Sequence, residues 1–357
     1  MRLSLEEALD GADWWAPTRR ALFGTEDAAF AARLVREFAD ATVGRIDGVR
    51  FAHAGTGIVL GLDLVDGVTV VLKVLRWNAT VERLRAVQAV QSWLADHGMP
   101  APRPLAGAAA LGGAVATIEE YVPGRGADGH AAEVRATLAA GLAEFVETAS
   151  ALAPSPAVGA NVLLTPEPGG IWQEPHDVRF DFEATRVGAE WIDDLARHAR
   201  AELAACELPD VVAHLDWRID NVGFDGTALV AIYDWDSVGR TPEAVAVGQA
   251  SAQFSTSWLV GAATLPAIDE MRRFVDDYAS HRGPFDETER RAVDASNLLL
   301  CAYGARCQHS DLTLHPELAG PPDAGWLGLL RARADRGLFE STAAGPGPEP
   351  TCSRDPN

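Results

Sequence analysis

The sequence predicts an α+β fold in two lobes, a small N-terminal lobe built on an antiparallel sheet and a larger, mainly helical C-terminal lobe. Three short runs rich in apolar and β-branched residues follow one another between Gly48 and Leu75, which indicates consecutive strands. Later in the chain, apolar residues recur at the 3.6-residue period of a helix. The change of period predicts a hinge between the lobes near Glu120.

The domain organisation follows from the same change of pattern. Residues 1–45 are acidic and carry apolar residues at helical spacing, so we predict a helical N-terminal extension that either packs on the next domain or forms a separate unit. The N-lobe then takes residues 46–121 and the C-lobe residues 122–340. Residues 341–357 are rich in Pro and Gly, and we predict a disordered tail there.

Each element of the N-lobe has its own signal. A Gly-Thr-Gly turn at residues 55–57 separates the first two strands, and Asp66-Gly67, a strong hairpin turn, separates the second strand from the third. The third strand contains Lys73. An amphipathic helix is predicted over residues 79–96, and the stretch GGAVATIEEYV predicts one or two further strands.

The C-lobe is predicted to be helical with one short hairpin. Four stretches carry apolar stripes at the helical period: EVRATLAAGLAEFVETASAL, GAEWIDDLARHARAEL, PAIDEMRRFVDDYAS and ETERRAVDASNLLLCAYGARCQ. Two strands, NVGFD and LVAIYDW, are joined by a turn at Asp225-Gly226. Cys301, Cys307 and His309 lie on an apolar helix without a fourth ligand, so we interpret them as core residues rather than a metal site.

Composition limits the classes of function. Hydrophobic residues make up 48% of the 357 residues and charged residues 23%, as in ordinary globular proteins. The net charge of −21 argues against binding to nucleic acid or to an anionic membrane. The four cysteines show neither the pairing of a zinc site nor the density of a secreted disulfide scaffold. No apolar run reaches the ~20 residues that span a bilayer, so we expect a cytoplasmic protein.

One basic residue stands apart from the others. Of the 30 basic residues, 29 are arginine and one is lysine, Lys73. A compact ammonium on a flexible stem contacts phosphate as a point charge, whereas a planar guanidinium is shaped for bidentate contacts. A lysine inside a strand is ordinarily an edge residue that keeps the sheet soluble, but its being the only lysine favours a functional role.

Oxygen-bearing side chains are concentrated in residues 211–237. His214 and Asp216 are followed by Asn221, and after a hairpin Asp234 ends a strand. Carboxylate and amide oxygens presented in this way suit Mg²⁺, which prefers oxygen ligands. Phosphoryl transfer needs such a metal, a carboxylate that orients the acceptor hydroxyl and accepts its proton, and a cation on the phosphates.

The pattern H-x-D-x-x-x-x-N followed by D-W-D resembles the aminoglycoside phosphotransferase and choline-kinase-like branch of the protein-kinase superfamily, as does WLADHGMPAPRPL. The resemblance implies a protein-kinase-like fold, ATP (with GTP not excluded) and Mg²⁺ as cofactors, and a small-molecule acceptor. It implies Asp216 as the catalytic base and His214 as a residue that structures the loop. Asn221 and Asp234 would be the magnesium ligands.

The same resemblance assigns a nucleotide site. Lys73 would contact the α- and β-phosphates, and the backbone of Glu120 and Val122 would meet the adenine at the hinge. Gly55 and Gly57 allow close approach of the backbone, so their turn either covers the phosphates or is an ordinary turn.

The expected glutamate partner of Lys73 is missing. Family members carry it on the following helix, roughly 15–20 residues after the lysine, where this chain has Gln88 and Gln91. Either Glu82 reaches back from the first helical turn, or one of the glutamines replaces the ion pair with a neutral hydrogen bond. The residues after Asp236 also depart from the family pattern and read SVGRTPEAV.

The acceptor site is predicted from an insert, GGIWQEPHDVRFDFEATRVGAEWIDD. Its aromatic and acidic side chains either bind a cationic or polyhydroxylated small molecule or cover a helical surface of a chain that is acidic throughout. The candidates are Trp172, His176, Asp177 and Trp191. Asp236 would either support the metal ligands or face the acceptor.

We therefore predict a small-molecule kinase that transfers the γ-phosphoryl group of ATP to a hydroxyl. The alternative is a catalytically degenerate, nucleotide-binding regulatory module with the kinase fold, which the missing helix glutamate and the altered residues after Asp236 favour. A protein kinase is disfavoured because no recognisable activation loop follows Asp234.

Overall fold

A computed structural model describes residues 3–11, 15–76, 78–152, 155–257, 265–316 and 325–339; the predicted C-terminal tail lies outside them. The N-terminal part contains α1 (Leu5–Asp10), α2 (Trp15–Phe23), α3 (Ala28–Thr42), β1 (Ile46–Ala54), β2 (Ile58–Leu64), β3 (Thr69–Leu75), α4 (Val81–Asp96), β4 (Pro104–Leu111) and β5 (Ala114–Glu120). The C-terminal part contains α5 (Ala132–Ala149), α6 (Glu190–Ala204), β6 (Asp210–His214), β7 (Val222–Asp225), β8 (Ala228–Ile232), β9 (Val238–Pro242), α7 (Glu243–Gln253), α8 (Ile268–Arg282), α9 (Glu287–Leu314) and α10 (Gly325–Ala334). The predicted two-lobed α+β fold is confirmed.

The N-lobe sheet is antiparallel throughout, in the order β1-β2-β3-β5-β4. Lys73 pairs with Val59 of β2 on one side and with Thr117 of β5 on the other. It therefore lies in the central strand, which rules out the interpretation of Lys73 as an edge residue. The strand β4 was not recognised in the sequence because PLAGAAAL is rich in alanine and has weak β propensity.

The N-terminal helices pack on one face of this sheet. Leu9 of α1 and Val35 of α3 are fully buried in one apolar cluster with Leu60 of β2 and Leu72 of β3. The helices thus take the packing alternative of the two predicted for the extension. Because side chains alternate between the faces of a strand, Lys73 points to the opposite face, where α4 and the C-lobe lie.

A single apolar cluster runs through the C-lobe and includes residues of α5, α6, α7, α8 and α9. The helix α7 was not predicted from the sequence. Every residue from Ala244 to Gln253 is buried, so the helix lacks the polar stripe by which an amphipathic helix is recognised. Two small two-stranded sheets, β6–β9 and β7–β8, lie beside the helices. No helix in the described part of the chain combines the length and hydropathy needed to cross a membrane.

Candidate active site

The two small sheets bring the distant motifs together. Strands β6 and β9 pair antiparallel, and the Leu215 N–H donates to the Ser237 carbonyl at 3.1 Å. The loop that contains Asp216 therefore starts beside the segment that precedes β9. In the β7–β8 hairpin, the Tyr233 N–H donates to the Asn221 carbonyl at 2.8 Å, so Asn221 lies next to the residue that precedes Asp234.

Each motif aspartate is followed by a tryptophan that anchors it in the core. Trp217 and Trp235 are 1% and 2% exposed. Both rings contact Phe145 of α5, at centroid distances of 6.3 and 5.7 Å. Burial of these large rings fixes the backbone at Asp216 and Asp234 while the two carboxylates stay accessible from the cleft.

His214 stabilises the start of the loop that contains Asp216. Its Nε2 lies 2.8 Å from the Tyr233 carbonyl oxygen, so this nitrogen carries the proton and donates it to that carbonyl. Burial lowers the pKa of His214 below its ordinary value, which keeps the ring neutral. The contact connects the start of the Asp216 loop to the strand end that presents Asp234.

The Asp216 carboxylate is held by two donors. Arg218 Nε lies 3.1 Å from both of its oxygens, and Asn221 Nδ2 donates to it at 2.8 Å. Arg218 also contacts Asp220 at 3.2 Å. Arg218 was missed in the sequence, although an arginine flanked by an aspartate two residues away on either side was a usable signal.

Asp234 has an unusual backbone. Its φ of 56° and ψ of 45° lie in the left-handed region, which costs a non-glycine residue about 1–3 kcal/mol. The Ser237 hydroxyl donates to its Oδ2 at 2.9 Å, and Lys73 Nζ lies 3.5 Å from its Oδ1. Burial acts to raise the pKa of Asp234, but Lys73 and the neighbouring donors outweigh it and lower that pKa to about 2.

Lys73 is 5% exposed and lies among three carboxylates. Its Nζ is 3.5 Å from Asp234, 3.4 Å from Asp236 and 3.8 Å from Glu119. Burial opposes the charged form, but the three carboxylates together raise the pKa of Lys73 above its ordinary value. The only lysine of the chain is therefore a buried ammonium between the lobes.

The predicted partner of Lys73 on α4 has to be corrected. Glu82 is exposed at the start of the helix, and Gln88 bonds the β4 backbone at 2.9 and 2.8 Å. Gln91 donates through Nε2 to Glu119 at 2.8 Å. The partner from within the N-lobe is Glu119. It was missed although it lies two residues after Thr117, the residue opposite Lys73, and so shares the face of the sheet with Lys73.

Asp236 also lies elsewhere than the acceptor side considered for it. Its carboxylate faces Lys73, and its carbonyl accepts from Arg83 Nη2 of α4 at 2.8 Å. Burial, together with the charge of Asp234, raises the pKa of Asp236 to about 7. Arg83 was another residue missed in the sequence, and it connects α4 to the segment that follows Asp234.

The hinge segment is attached to both lobes. The Glu120 N–H donates to the Arg103 carbonyl at 2.9 Å, and the Val122 carbonyl accepts from the Tyr233 hydroxyl at 3.0 Å. Arg125 and Phe224 exchange two backbone hydrogen bonds of 3.0 and 2.9 Å. The β7–β8 hairpin thus holds both Asn221 and the hinge.

The glycine turn at residues 55–57 connects β1 to β2, lies beside the end of β3 and contacts α2. A Cβ at Gly57 would lie 2.6 Å from the Val74 carbonyl oxygen, so glycine is needed there for strand packing. A Cβ at Gly55 would meet nothing within 4 Å, and the Gly55 carbonyl accepts from Thr18 of α2 at 3.4 Å.

Two of the four predicted acceptor residues lie in a small pocket beside the glycine turn. His176 and Asp177 share a small pocket with Gly55 and Thr56 of the turn and with Arg76 at the end of β3. His176 Nδ1 lies 2.7 Å from the Tyr303 hydroxyl, which fixes the ring, and burial lowers the pKa of His176.

The other two predicted acceptor residues do not line this pocket. Trp172 is 8% exposed, donates to Asp193 at 2.8 Å and belongs to the C-lobe core. The guanidinium of Arg331 of α10 lies over the ring of Trp191, 5.4 Å from the centroid of that ring. Trp172 lies in the segment before α6 and Trp191 lies in α6. Both pack against other side chains, and aromatic character alone did not distinguish them from ligand-binding residues.

Protein side chains alone do not form a complete metal cage. Across the ranges that the structure describes, no group of three or more His, Cys, Asp and Glu residues could hold a metal ion. The oxygen donors at the site are the amide of Asn221 and the carboxylates of Asp234 and Asp236. Such a sparse set fits Mg²⁺, which keeps several waters and binds substrate phosphates.

Comparison with known proteins settles the family. The model of the phosphotransferase enzyme family (APH) matches residues 62–291, more than half of the chain, and includes Lys73, Asp216, Asn221 and Asp234. The chain belongs to this family. No curated protein matches this phosphotransferase family member at significant sequence similarity.

Solved structures show that the family member has a kinase-like fold. Amicoumacin kinase hAmiN, in complex with AMP-PNP, Ca²⁺ and Ami, matches with a TM-score of 0.65 at 12% identity, covering 86% of this chain and 94% of that one. A thermostable mutant of aminoglycoside phosphotransferase APH(4)-Ia, in ternary complex with AMP-PNP and hygromycin B, matches with a TM-score of 0.53 at 14% identity, covering 84% and 96%. The ethanolamine kinase of Plasmodium vivax matches with a TM-score of 0.50 at 12% identity, covering 92% and 95%.

Proposed function

We propose that this member of the phosphotransferase family transfers the γ-phosphoryl group of ATP to a hydroxyl of a small molecule. The observation that carries the proposal is that Lys73, Asp216, Asn221 and Asp234, which are spread over the sequence, meet in one cleft between the lobes. A buried cation, an oriented carboxylate and a pair of oxygen ligands are the parts that phosphoryl transfer requires.

The protein's own residues perform two tasks in this reaction. Asp216, oriented by Arg218 and Asn221, accepts the proton of the acceptor hydroxyl. The oxygen of that hydroxyl then bonds to the γ-phosphorus, and ADP leaves. Lys73 holds the phosphates from the N-lobe side. Magnesium held by Asn221 and Asp234 would neutralise charge on the phosphate oxygens when bound.

The acceptor contacts His176 and Asp177 in this proposal. The pocket that these two residues line beside the glycine turn has a volume of only about 10 Å³, so the acceptor would lie over it rather than inside it. His176 and Asp177 supply a hydrogen-bonding ring and a carboxylate there, and Asp177 accepts from the Arg179 N–H at 3.0 Å. A carboxylate next to a fixed imidazole suits a polar acceptor that carries hydroxyl or amino groups. Amicoumacin kinase was solved with Ami and APH(4)-Ia with hygromycin B, which supports a small-molecule acceptor.

The alternative, a nucleotide-binding module without catalysis, rested on two departures from the family pattern. The absent helix glutamate has a substitute in Glu119, which reaches Lys73 from β5. The altered sequence after Asp236 forms β9 and pairs with β6, so it has a structural role. Neither departure now favours the alternative.

The substitution Asp216→Asn tests the proposal. It keeps the size of the side chain but removes the base, so we expect kcat to fall by about 10²- to 10⁴-fold with the Kd for Mg-ATP changed less than about threefold. ADP release is followed with a panel of aminoglycosides, amino alcohols, peptide antibiotics, nucleosides and sugars. Asp225→Asn, on the exposed tip of the β7–β8 hairpin, is the matched control. Full turnover by Asp216→Asn on an accepted substrate would remove Asp216 from the mechanism.

A further inference from the structure

The carboxylate that pairs with Lys73 from within the N-lobe is carried by a strand of the sheet, not by the helix α4. Lys73 lies on β3 and Glu119 on the neighbouring strand β5, with Nζ 3.8 Å from Oε1. Their backbones are joined by the antiparallel β3–β5 ladder, in which Lys73 lies opposite Thr117. The distance between the two side chains is therefore set within one sheet.

Glu119 is itself held by the helix. Gln91 of α4 donates through Nε2 to Glu119 Oε2 at 2.8 Å and to the Pro102 carbonyl at 2.7 Å. Glu119 is 6% exposed and Gln91 2% exposed, so water does not screen these contacts. Gln91 fixes one carboxylate oxygen and leaves the other directed at Lys73.

The other two partners of Lys73 belong to the C-lobe. Asp234 and Asp236 lie in the segment between β8 and β9, and Asp234 is a proposed magnesium ligand. When a carboxylate also binds a metal ion, the metal ion and the ammonium compete for its oxygens. Such a carboxylate is therefore a weaker anchor for the ammonium. Glu119 has no such competing task, since its second oxygen is already bonded to Gln91.

We propose that Glu119 is the positioning residue of Lys73: it replaces the helix glutamate of related kinases with a carboxylate on β5, and α4 acts on the lysine only indirectly, through Gln91. A rotation or shift of α4 then breaks the hydrogen bond from the neutral amide of Gln91 to the Glu119 carboxylate. The Lys73–Glu119 ion pair remains, because it lies within the sheet. The part of this inference that concerns catalysis rests on the proposed function, whereas the positioning itself does not.

The composition of the chain offers a direct readout. Lys73 is the only lysine, so the rate at which an amine-acylating reagent modifies it can be followed by peptide mass spectrometry without interference from other side chains. The N-terminal α-amino group of the protein, acylated in the same reaction before digestion, serves as the internal reference for the acylation rate. We expect Glu119→Gln, which removes the charge at nearly constant volume, to raise the relative rate of Lys73 acylation about tenfold or more, because the ammonium loses a buried partner.

A second variant and a matched control complete the experiment. Glu119→Asp keeps the charge but withdraws it by one methylene, so a smaller rise of a few-fold is expected; it also carries the test if Glu119→Gln does not fold. Asp63→Asn removes another buried carboxylate of the same sheet, one bonded to Arg50 at 2.9 Å and to Thr69 at 2.7 Å rather than to Lys73. It should leave the acylation rate of Lys73 at the wild-type value.

The kinetic arm separates the two levels of the inference. With an accepted substrate, Glu119→Gln should lower kcat by about tenfold or more while KM for ATP rises less, because the lysine remains present but is poorly placed. Acylation of Lys73 within twofold of wild type in a folded Glu119 variant, or an equal rise in Asp63→Asn, would overturn the positioning role. A faster acylation without any turnover by the wild type would contradict the proposed function but not the positioning.

Discussion

At the residue scale, the site is a single buried ammonium surrounded by carboxylates from both lobes. Lys73 contacts Glu119 of the N-lobe and Asp234 and Asp236 of the C-lobe. One positive charge does not balance three carboxylates, and the surplus shows in Asp236, whose pKa burial and Asp234 raise to about 7. A divalent cation would relieve that surplus, which agrees with the magnesium requirement we propose.

The shape of the lysine can be tested separately from its charge. The space beside Lys73, lined by Glu119, Gln91 and Trp235, has a volume of about 10 Å³, room for about one water molecule. A guanidinium does not fit such a space without displacing its neighbours. We therefore expect Lys73→Arg to lower kcat/KM by about tenfold or more, measured as ADP release with an accepted substrate.

The control for this substitution is Arg36→Lys, on an exposed position of α3. It makes the opposite exchange far from the cleft and should leave kcat/KM unchanged. If Lys73→Arg retained near-normal kcat/KM, a diffuse positive charge would suffice, and the presence of the only lysine at this position would have no catalytic meaning.

At the element scale, two short ribbons and one helix create the site. The β6–β9 and β7–β8 pairs place the loops of Asp216 and Asp234 side by side, and Phe145 of α5 supports both through Trp217 and Trp235. Residues in contact through a shared aromatic ring respond together when that ring is removed. The helix thus controls the distance between the proposed base and the proposed metal ligand.

Phe145→Ala tests this coupling. Phe145 is fully buried, so its truncation should lower the free energy of unfolding by about 3–5 kcal/mol, measured by urea denaturation. Because both loops lose their support, kcat should fall about tenfold or more at a temperature where the variant is folded. Phe285→Ala, which removes a ring that is 5% exposed in the same core and stacks on Tyr278 instead, should destabilise the protein but keep kcat. Equal kcat in both variants would show that the loops do not depend on α5.

At the scale of the whole molecule, the lobes are joined by a linker that lies tightly on the β7–β8 hairpin. A Cβ at Gly124 would lie 2.4 Å from Gly223 Cα and 2.7 Å from the Tyr233 hydroxyl. A backbone atom cannot move aside as a flexible side chain can. The hinge that is proposed to bind adenine is therefore positioned by the same hairpin that presents Asn221 to the cleft.

Gly124→Ala should push the linker away from the hairpin. We expect the free energy of unfolding to fall by about 1–3 kcal/mol and the Kd for ATP to rise several-fold, since the hydrogen bond of Val122 with Tyr233 depends on this approach. Denaturant titration and calorimetric binding measure the two effects. At Gly126 a Cβ would meet nothing within 4 Å, so Gly126→Ala should behave as wild type; a Gly124→Ala protein that did the same would contradict this account of the linker.

Most of the architecture was predictable because local signals are strong where period and turn residues agree. The β1–β3 meander, the helix α4 and the β7–β8 hairpin were all predicted from the sequence and are confirmed. The sequence did not predict the alanine-rich β4, the fully buried α7, the helix α10 or the pair β6–β9. They lack a one-sided apolar pattern, and β9 forms only because β6, which lies over 20 residues away, supplies its hydrogen bonds.

The amino-acid sequence by itself determined the family motifs, the single lysine on a strand and the motif residues Asp216, Asn221 and Asp234, because these depend on residue type and order. Only the tertiary structure decided that Glu119 rather than Glu82, Gln88 or Gln91 faces Lys73, that Asp236 lies on the lysine side, and that Trp172 and Trp191 are packing residues. The physical reason is that such assignments depend on which face of a strand or helix meets a distant element, and sheet register and helix packing set that through contacts far apart in the sequence.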